Sequence, residues 1–371
     1  MKINNKAYIN YFDSISCAGN NSEELFESIC LKKNTISINS TYVKERSVAI
    51  GEIRRNKDLN DILKERCDKL LDITRLNDFS NTLLIIGSSV GGMNETEKLF
   101  FKNKNYKEIN PKKHPVDSIA HFLKQNYKFY DDVSFSTACT SSANALGYAK
   151  EVISKGIYEN VLVIGIDSLS HTTVCGFSAL SVLSSKTCTP FDKNREGMNV
   201  AEGFGILLLQ NKKENNSIEL CGVGYSSDSH HMTQPHPEGL GAKKAMENAL
   251  EDANLKRNDI SYINAHGTGT TANDFSELNA IKSLFLENKP KVSSTKSITG
   301  HTLGAAGAIE AIISCMVLIK QTIPSNKDLK EIEIDDINYS FETTSSKVDY
   351  VLSNSFAFGG NNTSLVFGLV K

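Results

Sequence analysis

The 371-residue chain has no excess of either charge, since 41 basic residues stand against 43 acidic ones for a net −2. Without an overall basic field to hold a polyanion or an acidic membrane, nucleic acid is disfavoured as the primary partner. Long apolar runs are also missing. The longest, Ala305 to Ile319, is interrupted by Glu310 and falls short of the roughly 18 residues that a membrane span needs. The opening MKINNKAYIN lacks the apolar segment of a secretory leader, so a cytoplasmic protein is expected. None of the eight cysteines forms a C-x-x-C pair, and in a chain with no leader they read as thiols rather than a disulfide framework. The cluster His230, His231 and His236 has no cysteine or carboxylate at ligand spacing, so it reads as a histidine-bearing loop and no metal is expected. With 40% hydrophobic and 23% charged residues, the composition excludes disordered and collagen-like classes.

What is present is a regular alternation of short apolar runs with longer amphipathic stretches, the pattern of a layered α/β protein. Strands are expected at Ala7 to Phe12, Thr82 to Ile86, Val161 to Ile166, Gly205 to Leu209, Leu220 to Tyr225, Tyr262 to Ala265, Val351 to Ser355 and Ser364 to Phe367. Helices are expected at Ser22 to Leu31, Asp117 to Asn126, Ser141 to Lys155, Lys243 to Ala253, Asp274 to Leu286 and Leu303 to Lys320. The polar, turn-rich stretch Gln210 to Ser217 separates two portions of comparable element order, which suggests halves at 1–216 and 217–371. Each half contains a polar loop running into a helix of small residues, with one reactive side chain at its start: Cys139 in the first and His301 in the second. A duplicated α/β fold with one site between the halves accounts for both.

Four segments are placed to carry chemistry. Cys139 lies at an expected helix start, where free N–H groups and the helix dipole would lower the thiol pKa and suit a nucleophile. His266 follows the apolar run Ile260 to Ile263 and is flanked by glycines that let a ligand approach. His301 stands five residues after Lys296 in another glycine-flanked loop. Near the C-terminus, Phe358-Gly359-Gly360 lies between two strands, where freed N–H groups can face an oxyanion. A rival pattern, Gly87-Ser88-Ser89-Val90-Gly91, satisfies the G-x-S-x-G of a serine hydrolase with Ser89 as nucleophile.

Taken together, TACTSS around Cys139, NAHGTGTTANDFSE around His266, STKSITGHTLGAAGAIEA around Lys296 and His301, and FAFGGNN resemble the elongating, decarboxylating β-ketoacyl-acyl carrier protein synthases of the thiolase superfamily. TPFDKNREGMNVAEGFG and SSDSHHMTQPHPEGLGAKKAMENAL extend the resemblance over about residues 82 to 371, while the first 80 match poorly. The resemblance implies a five-layered α-β-α-β-α thiolase-like fold and decarboxylative Claisen condensation of an acyl thioester with malonyl-acyl carrier protein, in fatty acid or polyene/polyketide biosynthesis. It assigns Cys139 as the acyl acceptor, His266 and His301 as the pair acting on the malonyl thioester, and Lys296 as their support with Glu310 as its charge partner. Cys139 and Phe358 N–H groups would form an oxyanion hole, with Phe358, Gly359 and Gly360 forming the gate. Asp228 to Thr233 would be a second loop facing that gate, and Asp274 a supporting residue. No cofactor is implied, because the phosphopantetheine arm of an acyl carrier protein delivers both substrates. A homodimer or a heterodimer with a related subunit is implied as well. Lys64, Arg66 and Lys69, at helical spacing, are candidates for a basic docking patch. Besides the hydrolase, the alternative is a catalytically silent synthase-like subunit, against which the complete set of Cys139, His266, Lys296 and His301 argues.

Overall fold

The computed structural model describes residues 5–43, 46–77 and 79–370. Ten strands form one sheet: β1 (Tyr8–Ser16), β2 (Thr82–Gly87), β3 (Asp132–Phe135), β4 (Asn160–Asp167), β5 (Gly203–Gln210), β6 (Ile218–Ser227), β7 (Tyr262–Asn264), β8 (Lys291–Ser293), β9 (Tyr350–Phe356) and β10 (Asn361–Leu369). Their spatial order is β8-β7-β9-β10-β6-β1-β5-β4-β2-β3. Read from the two ends, each half has the same order of corresponding strands. The directions repeat too, because β2 is parallel to β3 and β4 as β7 is to β8 and β9, while β5 and β10 run antiparallel to both neighbours. Among the described residues, the two sets of strands pair with each other at Tyr8 with Glu219 and Ile9 with Ile218. This is the duplicated fold expected from the two matching loop-to-helix elements.

The main helices are α1 (Ser22–Cys30), α2 (Leu59–Thr74), α3 (Met93–Asn103), α4 (Ser118–Asn126), α5 (Ser141–Ser154), α6 (His171–Ala179), α7 (Leu240–Asp252), α8 (Thr271–Leu284) and α9 (Ala306–Lys320). Five layers follow from what each buries. One outer core packs α2 and α4 on the first five strands, through Leu63, Leu70 and Leu123 against Leu84, Ile164 and Ile206. The other packs α7 and α8 on the second, through Met246 and Leu278 against Ile263 and Val366. Between the two sets of strands lie α5 and α9, whose Ala143, Leu146, Ala308 and Ile312 share one core with Val163, Leu207 and Leu365. Strands covered on both faces read as continuous apolar runs, as in NVLVIGID and GFGILLLQ.

Small residues let the central helices meet. A Cβ placed on Gly307 would stand 2.6 Å from the Ala143 nitrogen, and one on Gly165 would stand 2.7 Å from the Ala308 Cβ. With its preceding 3₁₀ turn, α9 forms an 18-residue helical segment, Leu303–Lys320, of mean hydropathy 1.8. That is long and apolar enough for a span, which the run Ala305 to Ile319 alone had not suggested, yet 89% of it is buried inside the fold. A helix apolar all round is what a central layer requires.

All eight expected strands and six expected helices form, with ends shifted by a few residues. The edge strands β3 and β8, only four and three residues long, were too short to show a period. The helix α6, HTTVCGFSA, has a weak apolar stripe and was also missed.

Candidate active site

Both reacting turns are strained in the same way. Ala138, before Cys139, has φ +53°, and Leu303, shortly after His301, has φ +54°, a conformation that costs a non-glycine residue free energy unless its surroundings hold it. At the first turn, the Ala138 carbonyl accepts from Ser141 Oγ at 2.6 Å and from Ser89 Oγ at 3.0 Å. At the second, the Leu303 N–H donates to His301 Nδ1 at 3.3 Å. The two turns converge so that His301 Nε2 lies 3.0 Å from Cys139 Sγ. His266, beyond the end of β7, completes the group with its ring centroid 5.3 Å from that of His301, nearly perpendicular at 88°.

Hydrogen bonding fixes which nitrogens face the reaction. With Nδ1 of His301 accepting from a backbone N–H, its proton belongs on Nε2. Lys296 Nζ stands 3.4 Å from His266 Nδ1 and donates to the His266 carbonyl at 2.5 Å, which assigns His266 the same tautomer. Burial, then the Lys296 ammonium, holds both imidazoles well below the usual histidine range, so both are neutral donors. Lys296 is itself ion-paired to Glu310, with both side chains buried. Burial pushes the Glu310 carboxyl up to about 6 against the pull of Lys296.

The thiol contradicts one expectation. Burial pushes Cys139 up to about 12, and Asp167 and Glu310 add to that rise, while Lys296 and the residue's own N–H draw it down. The helix start that was expected to lower the pKa is real, but Cys139 is buried and its sulfur loses solvation.

A cavity of about 270 Å³ opens onto Cys139, His266 and His301, with Phe358, Gly359 and Gly360 along its wall. Lys296, Glu310 and Asp274 are not in that wall but behind it. Asp274 accepts from Phe191 N–H at 2.9 Å and Gly269 N–H at 3.2 Å and faces Arg195 at 3.5 Å, bracing the Thr268–Asn273 loop that borders the cavity. Asp228 and Thr233 line the mouth. Their loop is tied to the Phe358 turn, since Asp228 N–H donates to the Gly360 carbonyl and Gly359 N–H to the Met232 carbonyl, both at 2.7 Å. A Cβ on Gly360, at φ +77°, would stand 1.7 Å from the Asp228 carbonyl oxygen, so glycine is required there. The Phe358 ring faces that of Phe177 on α6 at 6.1 Å.

Residues 65–215 match the family described as the β-ketoacyl synthase N-terminal domain, and residues 218–330 match its C-terminal domain. A 3-oxoacyl-[acyl-carrier-protein] synthase 2 of Vibrio harveyi is 35% identical over 329 residues, covering 81% of this chain and 78% of that protein. The chain belongs to the β-ketoacyl synthase family. A Staphylococcus aureus protein of the same name is 37% identical over 249 residues, 62% of this chain and 61% of that one. Among solved structures, the complex of the ketosynthase ApeO with its chain length factor ApeC from Xenorhabdus doucetiae matches at TM-score 0.88 and 30% identity, covering 99% of this chain and 98% of that one. A β-ketoacyl synthase from Burkholderia phymatum matches at TM-score 0.88 and 26% identity, covering 99% and 100%.

Within this synthase the hydrolase alternative is not favoured, because Ser89 Oγ is committed to the Ala138 carbonyl as a prop for the cysteine turn. Two of the three basic candidates on α2 are engaged within the chain, Lys64 with Asp68 at 2.7 Å and Arg66 with Asp13 at 3.2 Å, leaving Lys69 exposed. Two buried carboxylates escaped the sequence reading. Glu277 accepts from the His266 and Gly267 N–H groups at 2.8 and 2.7 Å and from Asn354 at 3.1 Å, and burial pushes it up to about 7. Asp167 lies at the end of β4, and its only sequence signal is an acidic residue closing an apolar strand.

Proposed function

We propose that this chain condenses an acyl thioester with malonyl-acyl carrier protein, losing CO₂ and forming a β-ketoacyl thioester. The observation that carries the reading is the 3.0 Å approach of His301 Nε2 to Cys139 Sγ, beside a second neutral imidazole, in one cavity. In the first half-reaction the Cys139 sulfur attacks the acyl carbonyl and the carrier thiol leaves. The Nε2–H of His301 and the nearby Lys296 charge favour the thiolate that attacks. The acyl oxyanion is held by the Cys139 and Phe358 N–H groups.

In the second half-reaction the bond between the malonyl carboxylate and its α-carbon breaks. Its electron pair passes into an enolate whose oxygen accepts from the Nε2–H groups of His266 and His301. The enolate carbon then attacks the acyl carbonyl and Cys139 leaves as thiolate. Neutral donors suit this step because they stabilise the developing oxyanion without protonating it. Lys296 holds the tautomer of His266 and is itself held by Glu310, while Asp274 braces the bordering loop. Phe358, with Gly359, Gly360 and the loop from Asp228 to Thr233, forms the gate through which the acyl chain enters.

Both substrates arrive on the phosphopantetheine of an acyl carrier protein, and the chain acts as a dimer, with itself or with a related subunit. The halves 1–216 and 217–371 are its two structural units, and a cytoplasmic setting suits these substrates. The test is intact-mass analysis after incubation with a panel of acyl-carrier proteins, beside CO₂ trapping from malonyl-carrier protein. An acyl adduct on Cys139 that is consumed when the malonyl substrate is added is the expected result. No adduct on any acyl chain would refute the reading.

A further inference from the structure

The mechanism above leaves two buried carboxylates near the site unused, Glu277 and Asp167, and of these Asp167 is the one whose donors come from both halves. Asp167 is 1% exposed and lies outside the cavity wall. From the first half it accepts from Ser88 Oγ at 2.6 Å, from Ser89 N–H at 3.0 and 3.1 Å on its two oxygens, and from Val90 N–H at 3.0 Å. From the second half it accepts from Gly304 N–H at 2.6 Å. Each side leads in one step to a reacting residue. Ser89 Oγ props the Ala138 carbonyl next to Cys139, and Gly304 follows Leu303, whose N–H holds His301 Nδ1.

The contact between the two sides has no slack. A Cβ on Gly304 would stand 2.6 Å from the Ser89 nitrogen and 2.8 Å from Asp167 Oδ2. Every partner of this carboxylate is a donor, and an ionised carboxylate is the side chain that only accepts. Burial outweighs these donors and pushes its carboxyl up to about 6.

We propose that Asp167 is a positioning residue that sets the distance between Cys139 and His301 by holding the two reacting turns, one from each half, against each other. It touches neither substrate. The inference rests on the condensation reading for its assays but not for its geometry.

Two substitutions cut the clamp on different sides. In Asp167→Asn the amide oxygen keeps the three donors now on Oδ1, which turns the NH₂ toward Gly304 N–H and the second Ser89 contact, so the histidine side loses its one bond to this residue while the cysteine side keeps three. Ser89→Ala removes the prop on the cysteine side alone. Asp167→Asn should therefore slow malonyl decarboxylation by about a hundredfold, as an ångström-scale misplacement does. At pH 8 it should also alkylate faster than wild type with iodoacetamide, because it removes a negative charge facing the thiol while Lys296, Glu310 and His301 remain. A lesion that merely opened the site would speed that reaction too, so the readout that a structural role would not move is the split between decarboxylation and acylation in the two variants. Ser89→Ala should slow acyl transfer to Cys139 by about tenfold through the displaced turn while retaining decarboxylation.

Wild-type decarboxylation in Asp167→Asn, or equal slowing of both steps in both variants, overturns the proposal. If wild type itself releases no CO₂, the functional reading fails instead. The ring-nitrogen NMR resonances of His301 then decide, and unchanged resonances in Asp167→Asn overturn the clamp. If Asp167→Asn does not fold, Ser89→Ala decides alone, and wild-type acylation in it overturns the proposal.

Discussion

The two reacting turns share a backbone and differ in what surrounds them. Around Cys139 the buried partners are neutral apart from Asp167: Thr140 Oγ1 and Asn144 Nδ2 donate to Asn361 Oδ1 at 3.0 and 3.1 Å, and Thr363 Oγ1 donates to Asn144 Oδ1 at 2.5 Å. Around His266 and His301 they are ions, with Lys296, Glu310, Glu277, Asp274 and Arg195 all buried. The same strand order and helix start occur twice, and both sides carry buried charge, a single carboxylate, Asp167, behind the cysteine turn and an ion pair, Lys296 with Glu310, behind the histidines. The consequence reaches across the interface, because the largest influence drawing the Cys139 thiol down is Lys296, a residue of the other half. Neither half has a complete site.

The comparison breaks most sharply if each turn is disabled in turn. Cys139→Ala should abolish condensation yet leave CO₂ release from malonyl-carrier protein measurable, because the enolate needs only the histidine donors. His266→Ala and His301→Ala should each slow that release by about a hundredfold, the usual cost of an oxyanion donor, while still forming the acyl-enzyme. Stopped-time CO₂ trapping beside intact-mass acylation reads both. Normal condensation by Cys139→Ala would sink the assignment.

A buried ion pair beside the histidines and a neutral hydrogen-bond network beside the cysteine predict an asymmetry in stability. Lys296→Ala leaves Glu310 as a buried charge without its cation, and breaking such a pair costs about 3–5 kcal/mol. Adding Glu310→Gln should recover part of that loss in urea unfolding, since the orphaned charge goes with it. On the neutral side, Asn144→Ala should cost less, about 1–3 kcal/mol for buried polar groups left unpaired. Equal losses on the two sides would erase the contrast.

How much of this was legible in the sequence follows the same division. Cys139, His266, Lys296 and His301 could be read because they lie in runs of small and polar residues between apolar strands, where a reactive side chain stands out. The strand order was hinted at only by the two matching loop-to-helix elements. β3 and β8 were hidden because three or four residues carry no period, and Asp167 because a carboxylate closing a strand looks like a turn residue until the donors that fold onto it are seen. The thiol was misread for a related reason. A helix start is local and visible, whereas burial depends on residues far apart in the chain.

That misreading gives a pH test with a definite sign. A thiol pushed up to about 12 is deprotonated only in a small fraction at neutral pH, and the fraction grows about tenfold per pH unit below that value. Alkylation of Cys139 by iodoacetamide should rise steadily from pH 7 to 10 without levelling. The thiol faces Lys296, Asp167, Glu310 and His301, and His301, held neutral, contributes no change across that range. A plateau below pH 8 would mean that the helix start outweighs burial after all.

The smallest effect is expected at Phe358, the residue proposed as the gate. Phe358 is half-buried, faces Phe177 across 6.1 Å and borders a cavity rather than the core. Phe358→Ala should therefore leave the fold intact. Its loop is tied to Met232 and Asp228 through the Gly359 N–H and the Gly360 carbonyl, neither of which involves the ring, so the turn itself keeps its shape. What changes is the wall of the cavity onto which Cys139 opens, which loses a phenyl ring. Competition between short and long acyl-carrier proteins should show a severalfold loosening of chain-length preference, with decarboxylation by His266 and His301 little altered. Unchanged preference would remove Phe358 from the gate and leave the acyl pocket to be set by α6.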